Sequence, residues 1–327
     1  MKKLILLIMC IFLLSGCNNQ VYTKNLFYMD TFINVKIYSS DKKKALDALS
    51  YIDQMYNDYD MLADRYKSHD GVINIKYINE MDISKEIKID NRLYEMIEYS
   101  KSFHAKTNGL FNIALGNVID VWSEYRNGNK TGVPTTEELL KSGSTSIDDL
   151  SLLGNDTIMK KGDISLDLGA IAKGYVTELA GEYLEGIGLN KYLITAGTSS
   201  VKVGEHYRND KYKIGLTDPL DTSNLYKTVK GNNISVTTSG SYDRYYEYDG
   251  VKYHHIINPN TFFPSNNSLA VTVITDDAAL GEVLSTTLFL MSVDEGKKYI
   301  SDMEGVEAIW YEMDGGITLT DGMSNYE

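Results

Sequence analysis

One stretch limits the architecture of this chain more than any other: Ser165-Leu166-Asp167-Leu168-Gly169-Ala170-Ile171-Ala172-Lys173-Gly174-Tyr175. A short apolar approach ends in an acid, and small residues then lead into a helical pattern with a lysine in its first turns. Extended chain must give way to helix within a few residues. The free N–H groups of a helix start, a carboxylate and an ammonium therefore gather around one point. Such a corner suits a phosphate-bearing ligand and a metal. It also serves plain packing, and the segment alone does not decide between the two.

Around this corner the periodicity changes repeatedly. Phe32 to Tyr38 alternates as a strand, and Lys43 to Met61 places Leu46, Leu49, Ile52, Met55 and Tyr56 at helical spacing. Asn91 to Thr107 reads as a second helix stopped by Asn108-Gly109, Phe111 to Trp122 as a third, and Thr135 to Ser142 as a short one. The corner helix continues to about Gly186. Strands follow at Lys191 to Thr195, Ser200 to Val203, Tyr212 to Leu216 and Ile234 to Thr237. Tyr245 to Tyr248 and Lys252 to Ile257 flank Asp249-Gly250, the clearest hairpin. Leu269 to Ile274, helices at Ala278 to Met291 and Val293 to Met303, and a hairpin of Val306 to Tyr311 with Ile317 to Thr320 complete the chain. Hairpins interrupted by helices predict an α+β fold of mostly antiparallel sheets flanked by helices.

The first residues read as a processing segment. Lys2 and Lys3, the apolar run Leu4 to Leu14 and the sequence Leu14-Ser15-Gly16-Cys17 resemble a bacterial lipoprotein signal cleaved before Cys17. The expected layout is a signal peptide over 1–16, a tether over 17–26 and one domain over 27–327. Cys17 would carry lipid and hold the protein on the extracytoplasmic side of the cell membrane. Cys10 leaves with the leader, so the exported chain has no disulfide and depends on its core. The formal charge of −13 becomes −15 once Lys2 and Lys3 are lost, which argues against nucleic-acid binding.

Three further segments carry candidate chemistry. His254 and His255 end a hairpin strand, where neighbours point to opposite faces, so only one of them serves a given site. A neutral imidazole beside a hydroxyl is a proton acceptor; a surface histidine next to a core-edge one is the plainer account. In Leu280 to Phe289, Glu282, Ser285 and Thr286 stand at i, i+3 and i+4, a hard-oxygen set suited to Mg²⁺. Helical Ser and Thr also bond back to their own backbone. Tyr192 to Ser200 is a strand ending in small polar residues.

In this order the segments resemble the FAD:protein FMN transferase family, also called the ApbE family of thiamine-biosynthesis lipoproteins. That family joins a lipoprotein signal to Asp-Leu-Gly-Gly-Ile-Ala-Lys-Gly-Tyr, Ala-Gly-Gly-Asp, Thr-Ser-Gly, His-Ile-Ile-Asp-Pro-Arg-Thr-Gly and Ala-Asp-Ala-x-x-Thr. Met29-Asp30-Thr31 resembles its opening Met-Gly-Thr, and Gly109 to Asn112 with Trp122 its Gly-x-Phe-Asp and later Trp. The resemblance implies an enzyme that binds FAD and Mg²⁺ and transfers FMN, through its phosphate, to a Thr or Ser hydroxyl of an exported redox protein, releasing AMP. It implies FAD contacts at Met29, Tyr66, Leu110, Phe111, Asn112, Asp167, Lys173 and Ile256. It implies Mg²⁺ ligands at Ala170, Glu282, Ser285 and Thr286, and a base at His255 with His254 as its outward-facing neighbour.

The chain departs from that pattern at Ala170 for Gly, Glu282 for Asp, Asn258 and Asn112 for Asp, Asn260 for Arg, Phe262 for Gly, and Thr198-Ser199 for Gly-Asp. Two alternatives therefore stay open here: an FAD pyrophosphatase yielding FMN and AMP, and a flavin-holding lipoprotein without catalysis.

Overall fold

The computed structural model describes residues 20–327. The expected leader and Cys17 lie outside these residues. From Gln20 onward the expected tether is strand: Gln20–Tyr28 (β1) pairs antiparallel with Thr31–Ser39 (β2) around a turn in which Met29 and Asp30 both have positive φ. β1 escaped notice because its two faces differ little in burial at an edge.

Lys42–Ala63 (α1) is capped by the Asp41 side chain on Lys44 N and buries Ala45, Leu49, Ile52, Tyr56 and Tyr59. Ile75–Glu80 (α2), Glu86–Lys88 (β3) and Asn91–Lys106 (α3) follow. The third expected helix starts late, at Gly116–Arg126 (α4), because the Asn112 side-chain oxygen accepts from Ala114 N and holds 112–115 in a turn. Thr136–Leu140 (α5) has a capping box between Thr135 and Glu138. Leu150–Gly154 (β4) and Thr157–Lys160 (β5) join β3 in a small sheet.

The corner helix is Ala172–Gly186 (α6). Tyr192–Ala196 (β6), Ser200–Val203 (β7), Tyr212–Thr217 (β8), Leu225–Gly231 (β9) and Ile234–Gly240 (β10) come next. Tyr245–Tyr248 (β11) and Val251–His254 (β12) form the expected hairpin. Its second strand stops at His254, where the ring Nδ1 accepts from Ile256 N and turns the chain. Ser268–Thr275 (β13), Ala278–Leu290 (α7), Val293–Ile300 (α8), Glu307–Glu312 (β14) and Ile317–Leu319 (β15) follow, and a 3-10 helix at Asp321–Tyr326 ends the order.

Eight strands make one sheet in the order β1-β2-β6-β7-β10-β13-β14-β15, every neighbouring pair antiparallel. Strand alternation divides the core. Val271 and Val273 of β13 pack with Leu284 and Leu288 of α7, while Ile274 joins Ile214 and Val229 of the β8–β9 ribbon on the opposite face. Under β1 and β2, Val35 and Ile37 meet α1 and α6 through Ile52, Val176 and Ala180. Helices α6 and α7 thus lie against the same face, and their contact creates the site.

Candidate active site

The corner is held by backbone pairing. Gly116 N donates to Ser165 O at 2.9 Å and Asp167 N to Ile113 O at 2.8 Å, so the 113–116 and 165–167 segments run side by side. The Asp167 carboxylate accepts from Gly169 N at 2.7 Å through Oδ1, while its Oδ2 lies 3.3 Å from Arg65 Nη1. Ala170 is half-buried in the turn that follows. No side chain caps the N-terminus of α6, which leaves the positive end of the helix dipole without a side-chain partner.

Lys173 lies in the first turn of α6, and Gly174 lets α7 close onto it. A Cβ at Gly174 would sit 2.1 Å from Glu282 Cγ and 2.4 Å from Ala278 O. The Glu282 side chain is consequently buried, with Oε1 3.5 Å from Lys173 Nζ. Burial raises its pKa, and the Lys173 charge and the Gly174 N–H pull it back down. Oε1 itself makes no hydrogen bond. One turn on, Ser239 at the end of β10 donates to Ser285 Oγ at 3.0 Å and lies 3.4 Å from Thr286 Oγ1; Ser285 donates back to Glu282 O at 3.2 Å. The back-bond uses the Ser285 proton and Ser239 one lone pair, so one lone pair of Ser285 Oγ remains available. Among the described residues no group of three His, Cys, Asp or Glu gathers. A buried carboxylate whose Oε1 makes no hydrogen bond and only a 3.5 Å ion pair, on a helix that also carries two hydroxyls, nevertheless fits a hard divalent cation and not a soft one.

The two histidines separate as the strand predicts, but His254 is not outward-facing. It is buried, with Nε2 2.5 Å from Ser265 O, Nδ1 accepting from Ile256 N, and its ring edge-on to Phe289. With both nitrogens engaged it is a neutral core histidine, and its pKa is lowered by burial. His255 lies on the open side. The residue is exposed, although protein atoms crowd around its ring. That crowding, then the charges of Arg244, His254 and Lys173, push its pKa down to about 3.

The hairpin carrying His255 is seated on Trp122. The indole stacks with Tyr253 at 5.7 Å between centroids, meets Phe263 edge-on at 5.5 Å, and donates to Phe262 O at 2.7 Å. Asn258 caps the next turn, its side-chain oxygen accepting from Asn260 N at 2.9 Å. An aspartate would do the same, so this amide for acid preserves the local structure. Asn112 likewise accepts from Ala114 N, and donates to Thr145 O besides, which an aspartate cannot. Phe262 occupies a left-handed conformation, φ 62°, where the family pattern has glycine.

The remaining expected contacts fall in two groups. Tyr66 is exposed, with the Arg65 guanidinium 5.2 Å from its ring centre, and Arg65 also reaches Asp167 and Gly116 O, so Tyr66, the 110–116 segment and Asp167 converge. Leu110 and Ile256 pack in the apolar cluster of α7. The Phe111 ring is buried, so only its backbone is free to face a ligand. Met29 sits in the β1–β2 turn, its N–H bonded to Asp60. Gly197, φ 65°, packs on Thr31 of that turn, and Thr198 donates to Asp243, which draws the fourth segment in. Sequence reasoning missed Arg65, Ser239 and Arg244. Two of them had a signal: Ser239 is the Ser of Thr238-Ser239-Gly240, which matches the family's Thr-Ser-Gly, and Arg244 precedes Tyr245, which the Asp249-Gly250 turn sets opposite His254. Two surface hollows, one around His206 and one around Val293, share none of these residues.

Comparison with known proteins gives a consistent result. The sequence model of the ApbE family matches residues 29–310. The chain is 29% identical over 308 residues to an FAD:protein FMN transferase of Klebsiella pneumoniae, covering 93% of each. It is 25% identical over 321 residues to the protein of that name from Treponema pallidum, covering 92% of this chain and 87% of the other. Among solved structures, the ApbE protein of Thermotoga maritima superposes with a TM-score of 0.84 at 25% identity, covering 94% of this chain and 99% of that one. The flavin transferase ApbE from Vibrio cholerae superposes with a TM-score of 0.80 at 20% identity, covering 94% and 100%.

Proposed function

The chain belongs to the ApbE family, and on that premise we propose that it is an FAD:protein FMN transferase, moving the FMN part of FAD to a hydroxyl of a protein acceptor. The observation that carries this reading is the meeting of Lys173, Glu282, Ser285 and Thr286 with Ser239, brought from three separate elements to one half-buried corner.

In the reaction the acceptor oxygen attacks the FMN phosphorus, a P–O bond forms, the anhydride P–O bond breaks, and AMP departs with the bonding electrons. The hydroxyl proton passes to His255. An imidazole with a pKa of about 3 is a weak base; a diphosphate placed beside Lys173 and Arg244 offsets the cationic field and raises its basicity. General-base assistance of this kind contributes about 10²–10⁴-fold. Lys173 and the open N-terminus of α6 hold the diphosphate by charge and dipole. Asp167 and Tyr66 face the nucleotide's neutral parts. Glu282, Ser285, Thr286 and the Ala170 turn are the residues that would hold Mg²⁺, which supplies charge neutralisation on the diphosphate when bound.

The finer proposals are that the acceptor is an exported redox protein with a Thr or Ser site, and that Cys17 anchors the enzyme by lipid outside the cytoplasmic membrane. The Leu14-Ser15-Gly16-Cys17 order supports the anchor. No described helix is long and apolar enough to cross a membrane. Purified protein, FAD, Mg²⁺ and a candidate acceptor are expected to give a flavin-fluorescent acceptor band with stoichiometric AMP. Release of FMN and AMP at the same rate without acceptor would instead establish a pyrophosphatase, and FAD binding with no AMP from any acceptor a binding protein.

A further inference from the structure

Arg65 follows Asp64, the C-cap of α1, yet its side chain is only 5% exposed. Its Nη2 donates to Gly116 O at 3.2 Å, Ser165 Oγ at 3.2 Å and Asp120 Oδ2 at 2.9 Å. Nη1 lies 3.3 Å from Asp167 Oδ2, and the guanidinium carbon is 5.2 Å from the Tyr66 ring centre. These partners come from segments about 50 and 100 residues away in the chain. They are the same segments that the proposed reading brings to the nucleotide: Tyr66, the turn after Asn112, and Asp167. Nε and Nη1 are buried without a hydrogen bond, Nη1 having only its ion pair with Asp167, and buried donors left so are uncommon in native proteins and call for an explanation.

We propose that Arg65 is the positioning residue of the nucleotide site, aligning the Tyr66 ring and the Asp167 carboxylate so that together they receive the neutral donor groups of FAD. The inference rests on the flavin-transferase reading. A carboxylate only accepts hydrogen bonds and is repelled by a diphosphate, so its fitting partners are ring N–H groups and sugar hydroxyls. Asp167 needs both of its fixings for this. Gly169 N holds one oxygen, and Arg65 faces the other. The planar fork reaches acceptors on two chain segments at once, which a lysine ammonium cannot reproduce in one plane. Arg65 therefore acts through Tyr66 and Asp167 and touches no reacting atom.

The test is equilibrium FAD binding to the purified apoprotein, followed by flavin fluorescence, with melting temperature recorded in parallel. Arg65→Lys keeps the charge against Asp120 and Asp167. It is expected to weaken FAD by at least about tenfold, the effect of one charged hydrogen bond, with the loss appearing in KM for FAD more than in kcat. Asp167→Asn is expected to weaken binding too, and the double variant to be little worse than either single, because the two act as one unit. Ser165→Ala, which removes one acceptor and leaves the ion pairs, is expected to cost about two- to fivefold and stands in should Arg65→Lys fail to fold. Wild-type affinity in the folded Arg65→Lys or, failing that, Ser165→Ala variant overturns the proposal, as do losses that multiply independently with Asp167→Asn. Absence of FAD binding by the wild type would reject the transferase reading instead.

Discussion

His255 and Glu282 show how a single residue's surroundings decide its chemistry. His255 is held neutral by crowding and by Arg244 and Lys173, with a pKa of about 3 in the free protein. A lowered pKa means that protonation, and loss of the base, begins only in acid. An anionic diphosphate reverses part of that shift, so the acid limb of kcat should lie at higher pH than the acid limb of kcat/KM for FAD. Rate profiles between pH 4 and 8 check this, and coincident limbs near 6.5 would remove His255 from the role of base. Glu282 makes a second prediction. Glu282→Gln keeps the volume against Gly174 but removes the charge, so calorimetric Mg²⁺ binding to the apoprotein should weaken by at least about tenfold. Unchanged affinity would place the ion elsewhere. Sequence singles out Lys173 and Glu282 by their charge, and the structure sets the two 3.5 Å apart. Sequence tells less where a residue's part depends on a turn. Asn112 and Asn258 looked like lost acids, yet both bond backbone N–H groups as an aspartate would.

At the scale of elements, His255, the proposed base, depends on a hairpin that is weak by itself. The β11–β12 ribbon pairs over four residues per strand and joins no larger sheet; isolated two-stranded ribbons are marginal in water. Its support is the Trp122 indole from α4, against Tyr246, Tyr253 and Phe263. Trp122→Ala should therefore free the ribbon while the main sheet stays closed, with a local cost of about 3–5 kcal/mol. Hydrogen exchange should rise over 245–254 and stay slow in β10 and β13, and transfer should fall more than FAD binding. Uniform exchange throughout the protein would show that the ribbon is not an independent unit. The hairpin itself was legible from Asp249-Gly250 and its alternating flanks. The support was not, because Trp122 and Tyr253 are 131 positions apart and no periodicity links them. The β9 strand and the β3-β5-β4 sheet escaped for another reason: they are short or largely exposed, so alternation is faint.

For the whole molecule, the site exists only while α6 and α7 are pressed together on one face of the sheet, and a buried ion pair links all three. Lys202 of β7 bonds both oxygens of Glu178 on α6, at 2.8 and 2.9 Å, and Asp276 O at 2.7 Å, while Glu178 also accepts the Ala278 N–H at the start of α7. Nothing in the local pattern announces this; a lysine in a four-residue strand reads as solvent-facing until Gly181 is seen to leave room for its stem. The general α+β plan was open to inspection because each hairpin is written locally, whereas the way the layers lock is written between distant residues. Lys202→Met should cost about 3–5 kcal/mol in denaturant unfolding, because it leaves the Glu178 carboxylate buried and uncompensated. Lys202→Met with Glu178→Gln should recover much of that loss, since the amide oxygen still accepts from Ala278 N and no charge is stranded. The same pair separates stability from function: the double variant should keep a single unfolding transition, and Mg²⁺ binding through Glu282 should follow its recovery. A single Lys202→Met variant within about 1 kcal/mol of wild type would mean that solvent reaches Glu178, and that apolar packing alone holds the two helices in register.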